Sequence, residues 1–243
     1  MENIIKNLYS LSLVTTKSYK QNLNTLIKLI DESDNNSVIL APEVCLSGFD
    51  YDNLDKVCEF SKYATQEIKR VSHDKIIILT MIEKDGQNIL NVAKVFKDGK
   101  VVHTQAKSRL FRLGDEHNYM LSGDDKDLVI FEIDGIKFGI LICFELRFKE
   151  LWQKLEGADI ILVPAWWGKL RAENYKVLTQ ALAVINQCYV IASDSSNEDC
   201  SGITSIVTPF GEHLLQRNAS CLKSTYENNE VKKMRKYLDV GIG

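Results

Sequence analysis

Three segments of the chain are apolar at nearly every position: residues 37–41 (SVILA), 75–81 (KIIILTM) and 159–163 (DIILV). A strand with one wet face alternates polar and apolar side chains, whereas a strand covered on both faces reads as a continuous apolar run. These runs therefore predict sheets buried on both sides, a demand met only by helices or by a second sheet laid against them. Helical periods separate them. Leu23, Leu26, Ile27 and Ile30 predict a helix over 18–31, and Leu54, Val57, Cys58, Ala64, Ile68 and Val71 a second.

The remaining elements alternate in the same way. Strands are predicted at 7–15, at 88–96 and 100–104 around Asp98-Gly99, and at 127–133 and 136–142 around Asp134-Gly135. A short helix follows at 148–155, and strand 159–163 is expected to stop at Pro164. A long helix at 172–187 is expected to turn Val177, Leu178, Ala181, Leu182, Val184 and Ile185 inward. Strands at 189–193, 203–208 and 213–215 complete the pattern, while 107–126 reads as polar and irregular. The tail, about 227–243, reads as a short basic helix or a solvated surface segment. Hairpins mixed with strand–helix–strand units predict a mixed α/β (α+β) fold, organised as a single domain over 1–243 because no linker composition interrupts it.

Composition narrows the function. Thirty basic against thirty-three acidic residues leave a net charge of −3, which advertises neither nucleic acid nor an anionic membrane as partner. No apolar run reaches the ~18 residues of a membrane span, and MENIIKNLYS lacks the features of a secretory signal, so the expected location is the cytoplasm. The six cysteines have irregular spacing and no C-x-x-C pair, and the four histidines are scattered. Reduced thiols and no metal site are expected.

Three places combine a strand end with a reactive side chain: Glu43 after SVILA-Pro42, Lys107 after the strand ending near Thr104, and Cys143 after FGILI. Strand ends are where α/β sheets carry their sites. Each residue alone has a bland reading, as a turn carboxylate, a solvated cation and a buried thiol. Together they form a complete set for acyl transfer to water. An ammonium favours thiolate formation, a carboxylate moves the proton, and a strand-to-helix turn aims the Phe144 N–H at an oxyanion.

The segments carrying these residues are APEVCLSGF, AKSRLFRLGDEHNY and GILICFELRFKELW, followed by ADIILVPAWW, VLTQALAVINQCYVIAS and SGITSIVTPFGE. In this order, over about residues 7–217, they resemble the nitrilase superfamily of carbon–nitrogen hydrolases, in its omega-amidase-like branch. The resemblance implies a four-layer α-β-β-α sandwich, a homodimer, no cofactor, and a small-molecule amide substrate cleaved through a cysteine thioester. It implies that Glu43 is the general base, Lys107 the oxyanion-stabilising lysine and Cys143 the nucleophile, with Phe144 as backbone oxyanion donor. A second acidic role falls on Glu116 or its neighbour Asp115. Arg147 matches a structural arginine expected to pair with a carboxylate. The chain has C-F-E-L where nitrile-cleaving members have C-W-E-N, and is closer to the amidase pattern C-Y-D-L-R-F.

Omega-amidase-like substrates carry a carboxylate, for which Arg109, Arg112 and Lys169 are the candidate partners, while Trp166 and Trp167 are candidate pocket walls. Three alternatives stay open: an N-carbamoyl amine hydrolase of the same family, a Cys143–His117 hydrolase pair, and a catalytically silent binding or scaffold protein on the same fold.

Overall fold

The computed structural model of the protein describes residues 3–242. In the first half of the chain, strand β1 (Ile5–Leu11) leads into helix α1 (Tyr19–Asp31), followed by β2 (Ser37–Leu40), α2 (Leu54–Val71), β3 (Lys75–Asp85), β4 (Asn88–Lys97) and β5 (Lys100–Ala106). A one-turn helix α3 (Glu116–Tyr119) precedes the second half. There follow β6 (Phe131–Ile133), β7 (Ile136–Ile140), α4 (Lys149–Lys154), β8 (Ile160–Ala165), α5 (Ala172–Asn186), β9 (Tyr189–Asp194), β10 (Ile203–Val207), β11 (His213–Arg217), β12 (Cys221–Glu227) and α6 (Asn228–Tyr237).

The strands form two six-stranded sheets, ordered β12-β1-β2-β3-β4-β5 and β11-β10-β9-β8-β7-β6. Each has a parallel centre, β1-β2-β3 in one and β7-β8-β9 in the other, flanked by antiparallel strands. The sheets lie face to face, and alternate residues of the apolar strands show how. Leu8, Val38, Leu40, Ile76 and Ile78 point into the core shared with the second sheet. Their neighbours Tyr9, Ile39, Ile77 and Leu79 point the other way, against Leu23, Leu26, Ile30, Ala64 and Ile68 of α1 and α2. The two-residue period of a strand thus fills two cores at once, and each Ile or Leu buried in this way contributes about 1.5–3 kcal/mol. With α5 covering β9 and β10 on the far side, the layers are α-β-β-α.

Helix α1 begins where its sequence asks it to: the Ser18 hydroxyl accepts the Gln21 N–H at 3.3 Å, satisfying one of the free donors of the first turn. Between the sheets, Ser10 Oγ donates to Ala192 O across 2.6 Å and Ser12 Oγ to Asp194 O across 2.5 Å. Strand β1 ends at Leu11 rather than at Thr15, because beyond Ser12 the backbone bonds across to the segment after β9, Leu13 O accepting the Ser196 N–H at 3.1 Å and the Thr15 N–H donating to Asn197 Oδ1 at 2.8 Å.

Other boundaries differ for physical reasons. Strand β8 runs through Pro164 to Ala165, since β7 no longer lies alongside at that point and the missing N–H costs no bond on that side. Helix α5 is rotated from its expected face. Tyr175, Thr179, Leu182, Ala183 and Asn186 are buried, while Val177, Val184 and Ile185 are 58, 42 and 56% exposed. Inward polar groups find partners there, Tyr175 Oη on Val163 O at 2.9 Å and Asn186 Nδ2 on Trp152 O at 2.8 Å. Strand β12 was absent from the sequence expectation, and the tail is an ordered helix that buries Val231 and Met234. Among the described residues no helix is long and apolar enough to cross a membrane.

Candidate active site

Glu43, Lys107 and Cys143 follow β2, β5 and β7 at the ends of their strands, and Glu116 opens α3. The chain turns sharply at two of these points. Val44 has φ +41° and Cys143 has φ +49°, left-handed values that non-glycine residues rarely adopt and that cost about 1–3 kcal/mol each. At the first turn the Val44 N–H is held by Thr80 Oγ1 at 2.7 Å, and Gly48, at φ +62°, brings the chain against the Trp166 ring. At the second, a 3-10 turn over Cys143–Arg147 starts immediately after the buried Ile142.

At the centre of the site is a wholly buried Lys107. Its Nζ lies 2.7 Å from Glu43 Oε1 and 2.7 Å from Glu116 Oε1. Burial opposes its charge, but Glu43 and then Glu116 outweigh that penalty and hold the ammonium well above the usual lysine range. Both carboxylates are held further. Glu43 Oε1 accepts Asn91 Nδ2 at 2.8 Å, Glu43 Oε2 accepts the Trp166 N–H at 3.0 Å, and Glu116 Oε2 accepts the Phe111 N–H at 3.0 Å. Burial raises the Glu116 carboxyl, with Lys107 working against the shift. Of the two acids left open by the sequence, Glu116 meets Lys107, whereas Asp115 is exposed in a left-handed turn.

The Cys143 thiol is 7% exposed, and its Sγ lies 3.7 Å from Trp166 O. Burial, then the negative Glu43, push it well above the ordinary thiol range, and the Lys107 charge only partly offsets them. Burial and Glu43 thus favour the neutral thiol, against the pull of the nearby ammonium. Glu145, two residues on, is buried and accepts Ile142 N–H at 2.7 Å, Ser108 N–H at 2.6 Å and Ser108 Oγ at 3.0 Å. It ties the turn carrying the thiol to the residue after Lys107.

The thiol faces a small cavity lined by Phe111, Phe144, Trp166 and Trp167, with Arg147, Gly168 and Arg171 at its side. Both tryptophans therefore stand at the cavity. Trp167 is fixed by Asp194, whose Oδ1 accepts the Trp167 N–H at 2.7 Å while Oδ2 accepts the Ser201 N–H at 2.9 Å. Burial pushes the Asp194 carboxyl up to about 7.

The cations expected at the cavity stand elsewhere. Arg109 is committed to Asp125, with Nη2 2.6 Å from Oδ2, and lines a separate groove together with exposed Arg112 and exposed His117. Lys169 is exposed and does not line the thiol cavity. Arg147, expected to pair with a carboxylate, instead donates to Asn174 Oδ1 at 3.1 Å and stacks on the Trp167 ring at 4.9 Å. Among the described residues no cluster of three His, Cys, Asp or Glu side chains is arranged to hold a metal.

Sequence reasoning missed Asn91, Asp194 and Arg171. The only trace of the first two was a polar residue at a strand position that proves to be covered on both sides. Arg171 sits in a polar-looking stretch with no periodic signal.

Residues 11–222 match the model of the carbon-nitrogen hydrolase family. The chain belongs to that family. It is 28% identical to a 2-oxoglutaramate amidase of Bacillus subtilis over 86% of this chain and 85% of that protein. It is 26% identical to omega-amidase YafV of Escherichia coli K12, over 82 and 79% of the two chains. The structure of Saccharomyces cerevisiae Nit3, a member of the nitrilase superfamily, superposes with a TM-score of 0.86 at 21% identity, covering 98% of this chain and 95% of Nit3. The four-layer sandwich is thus the nitrilase-superfamily fold, and the chain is an enzyme of the carbon–nitrogen hydrolase type.

Proposed function

We propose that this carbon–nitrogen hydrolase is a cysteine-dependent amidase that releases ammonia from a small linear amide, in the manner of an omega-amidase. One observation carries the reading: a thiol at a small cavity shares its surroundings with a buried ammonium held between two carboxylates. The amidase names of the two relatives support the same reaction class.

In this reading Cys143 rests protonated, and Glu43 takes its proton as Sγ bonds to the amide carbon. The carbonyl electron pair moves to oxygen, where the Lys107 ammonium and the Phe144 N–H stabilise it. Collapse restores the carbonyl and breaks the C–N bond, and Glu43 returns the proton to departing ammonia. Glu43 then takes a proton from water as the hydroxyl attacks the thioester, and Cys143 leaves with that proton. The sum is amide plus water giving carboxylic acid plus ammonia, with no change of oxidation state. Glu116 orients Lys107 in this scheme.

The test is ammonia release from succinamate, 2-oxoglutaramate, glutamine, an N-carbamoyl amine and a nitrile, with Cys143→Ala alongside. Release from the monoamides that is abolished in the variant supports the reading. Release from the carbamoyl compound alone changes the substrate to that of a carbamoyl hydrolase. Silence across the panel with an unreactive thiol favours the scaffold alternative.

We propose further that residues 1–243 act as one cytoplasmic unit and that a second copy of the chain covers the exposed side of α5. Val177, Val184 and Ile185 there, with Phe210 and Leu214 from the segments around β11, are 42–58% exposed, an apolar stretch of the kind that marks an interface. All six cysteines are unbridged, which suits a reducing compartment.

A further inference from the structure

We infer that Tyr51 is a positioning residue of the site: it ties the segment carrying Glu116 to the loop that follows Glu43, and so holds Glu116 against Lys107. The effect on turnover rests on the amidase reading, whereas the tie itself does not.

Glu116 lies in a stretch with few anchors. Residues 110–119 run between β5 and β6 with only the one-turn helix α3 for regular structure beyond a 3-10 turn. Among the described residues their backbone bonds are local. The Gly114 N–H donates to Phe111 O at 3.1 Å, the Asp115 N–H to Arg112 O at 3.1 Å and the Asn118 N–H to Asp115 O at 2.9 Å. Glu116 Oε2 takes the Phe111 N–H from within the same stretch. Two hydrogen bonds reach it from outside: Lys107 Nζ donates to Glu116 Oε1 at 2.7 Å, and Tyr51 Oη donates to Gly114 O at 2.9 Å. At one end Phe111 packs on Phe144, beside the nucleophile, with ring centroids 5.1 Å apart. The part around Glu116 is left to Tyr51.

Tyr51 is brought there by the connection between β2 and α2, which also carries Glu43 and Phe49. The Phe49 ring lies 5.9 Å from Lys107 Nζ, and the Tyr51 ring 5.8 Å from that of Phe49. Tyr51 then stacks on Tyr119, with centroids 4.2 Å apart and planes 4° from parallel. Its hydroxyl therefore bonds just before Glu116 and its ring packs just after it. Burial and the Glu116 charge raise the phenol, which keeps its proton and donates. A carboxylate orients an ammonium only if its own backbone is held, and these two contacts hold it.

Two measurements test this. The first is trypsin cleavage of the native protein at exposed Arg112, mapped by mass spectrometry. A protease cuts this stretch while it is open, so the rate follows the open population. Tyr51→Phe, which keeps the ring and loses the hydroxyl, is expected to speed cleavage about 3- to 10-fold. Tyr51→Leu, which also loses the stack, speeds it about 10- to 100-fold. Cleavage after exposed Lys233 in α6 stays at the parent rate in both.

The second measures kcat and KM, per mole of titrated Cys143, in the parent, Tyr51→Phe, Glu116→Ala and the double variant. The substrate is the best among succinamate, 2-oxoglutaramate and glutamine. Tyr51→Phe is expected to lower kcat about 3- to 10-fold with KM unchanged, because Lys107 acts on the transition state. In the Glu116→Ala background the same change costs less than about 2-fold, since no carboxylate remains to be held. Equal losses in the two backgrounds make Tyr51 a general structural residue and overturn the inference. Cleavage at Arg112 that neither variant accelerates overturns it as well. A parent that hydrolyses none of these amides overturns the amidase reading, and faster cleavage at Arg112 then still supports the tie.

Discussion

Lys107 Nζ and Glu43 Oε1 lie 2.7 Å apart with both side chains wholly buried. The bond joins the end of β5 to the end of β2, and Glu116 closes on the same ammonium from α3. The ammonium therefore separates two carboxylates that would otherwise repel each other in a medium with little water to screen them.

Removing that cation is expected to cost both fold and function. Lys107→Met leaves Glu43 and Glu116 buried without a counter-ion, a loss of about 3–5 kcal/mol by urea denaturation. Adding Glu116→Gln removes one of the two charges and returns part of the stability. A Lys107→Met variant as stable as the parent contradicts the arrangement.

The thiol and its proposed base pull in opposite directions. Glu43 raises the Cys143 proton affinity in the resting site, behind burial itself. Glu43→Gln should therefore speed alkylation of Cys143 by iodoacetamide at a fixed pH near 8, because Lys107 then acts on the thiol unopposed by that charge. The same change lowers turnover about 100- to 10,000-fold if Glu43 moves the proton. Slower alkylation together with slower turnover would show that Glu43 activates the resting thiol instead.

Asp194 supplies a pH dependence of stability. Its carboxyl is raised from 3.8 to about 7 by burial. The folded state then holds a proton that the unfolded chain releases near pH 4. The Asp194 contribution is fully present below about pH 4 and is lost as pH rises to about 7, at about 1.4 kcal/mol per pH unit within that window. Asp194→Asn lacks this slope, so the stability of parent relative to variant falls between pH 4 and 7 and is flat above. Parallel curves would contradict the assignment.

The exposed apolar side of α5 predicts an oligomer. Ile185→Glu puts a charge where a second copy would pack and shifts sedimentation from dimer to monomer. A parent protein that is monomeric at tens of micromolar would contradict the proposed interface.

Much of this was legible in the sequence. SVILA and KIIILTM announced strands covered on both faces, and the structure divides Ile39 and Leu40 between a helix layer and a sheet layer. The positions of Glu43, Lys107 and Cys143 at strand ends could be read from the runs that precede them. Spacing could not say which way α5 faces, because its polar and apolar residues are spread around the helix and polar Tyr175 and Asn186 find buried partners. Nor could it distinguish Arg109, consumed by Asp125, from Arg171, which among the described residues has no ion-paired acid. A charge is free or spent according to what the fold brings near it, and Asn91 and Asp194 likewise acquire their roles only through residues far away in the chain.

The central claim is that Cys143 forms an acyl bond with the substrate. The most direct measurement is intact-protein mass spectrometry after rapid acid quench of the enzyme with excess succinamate. The account predicts a hydroxylamine-labile mass increase of one succinyl group, mapped to Cys143 and absent in Cys143→Ala. Ammonia release in the Cys143→Ala protein at the parent rate, with no adduct in either, would contradict it.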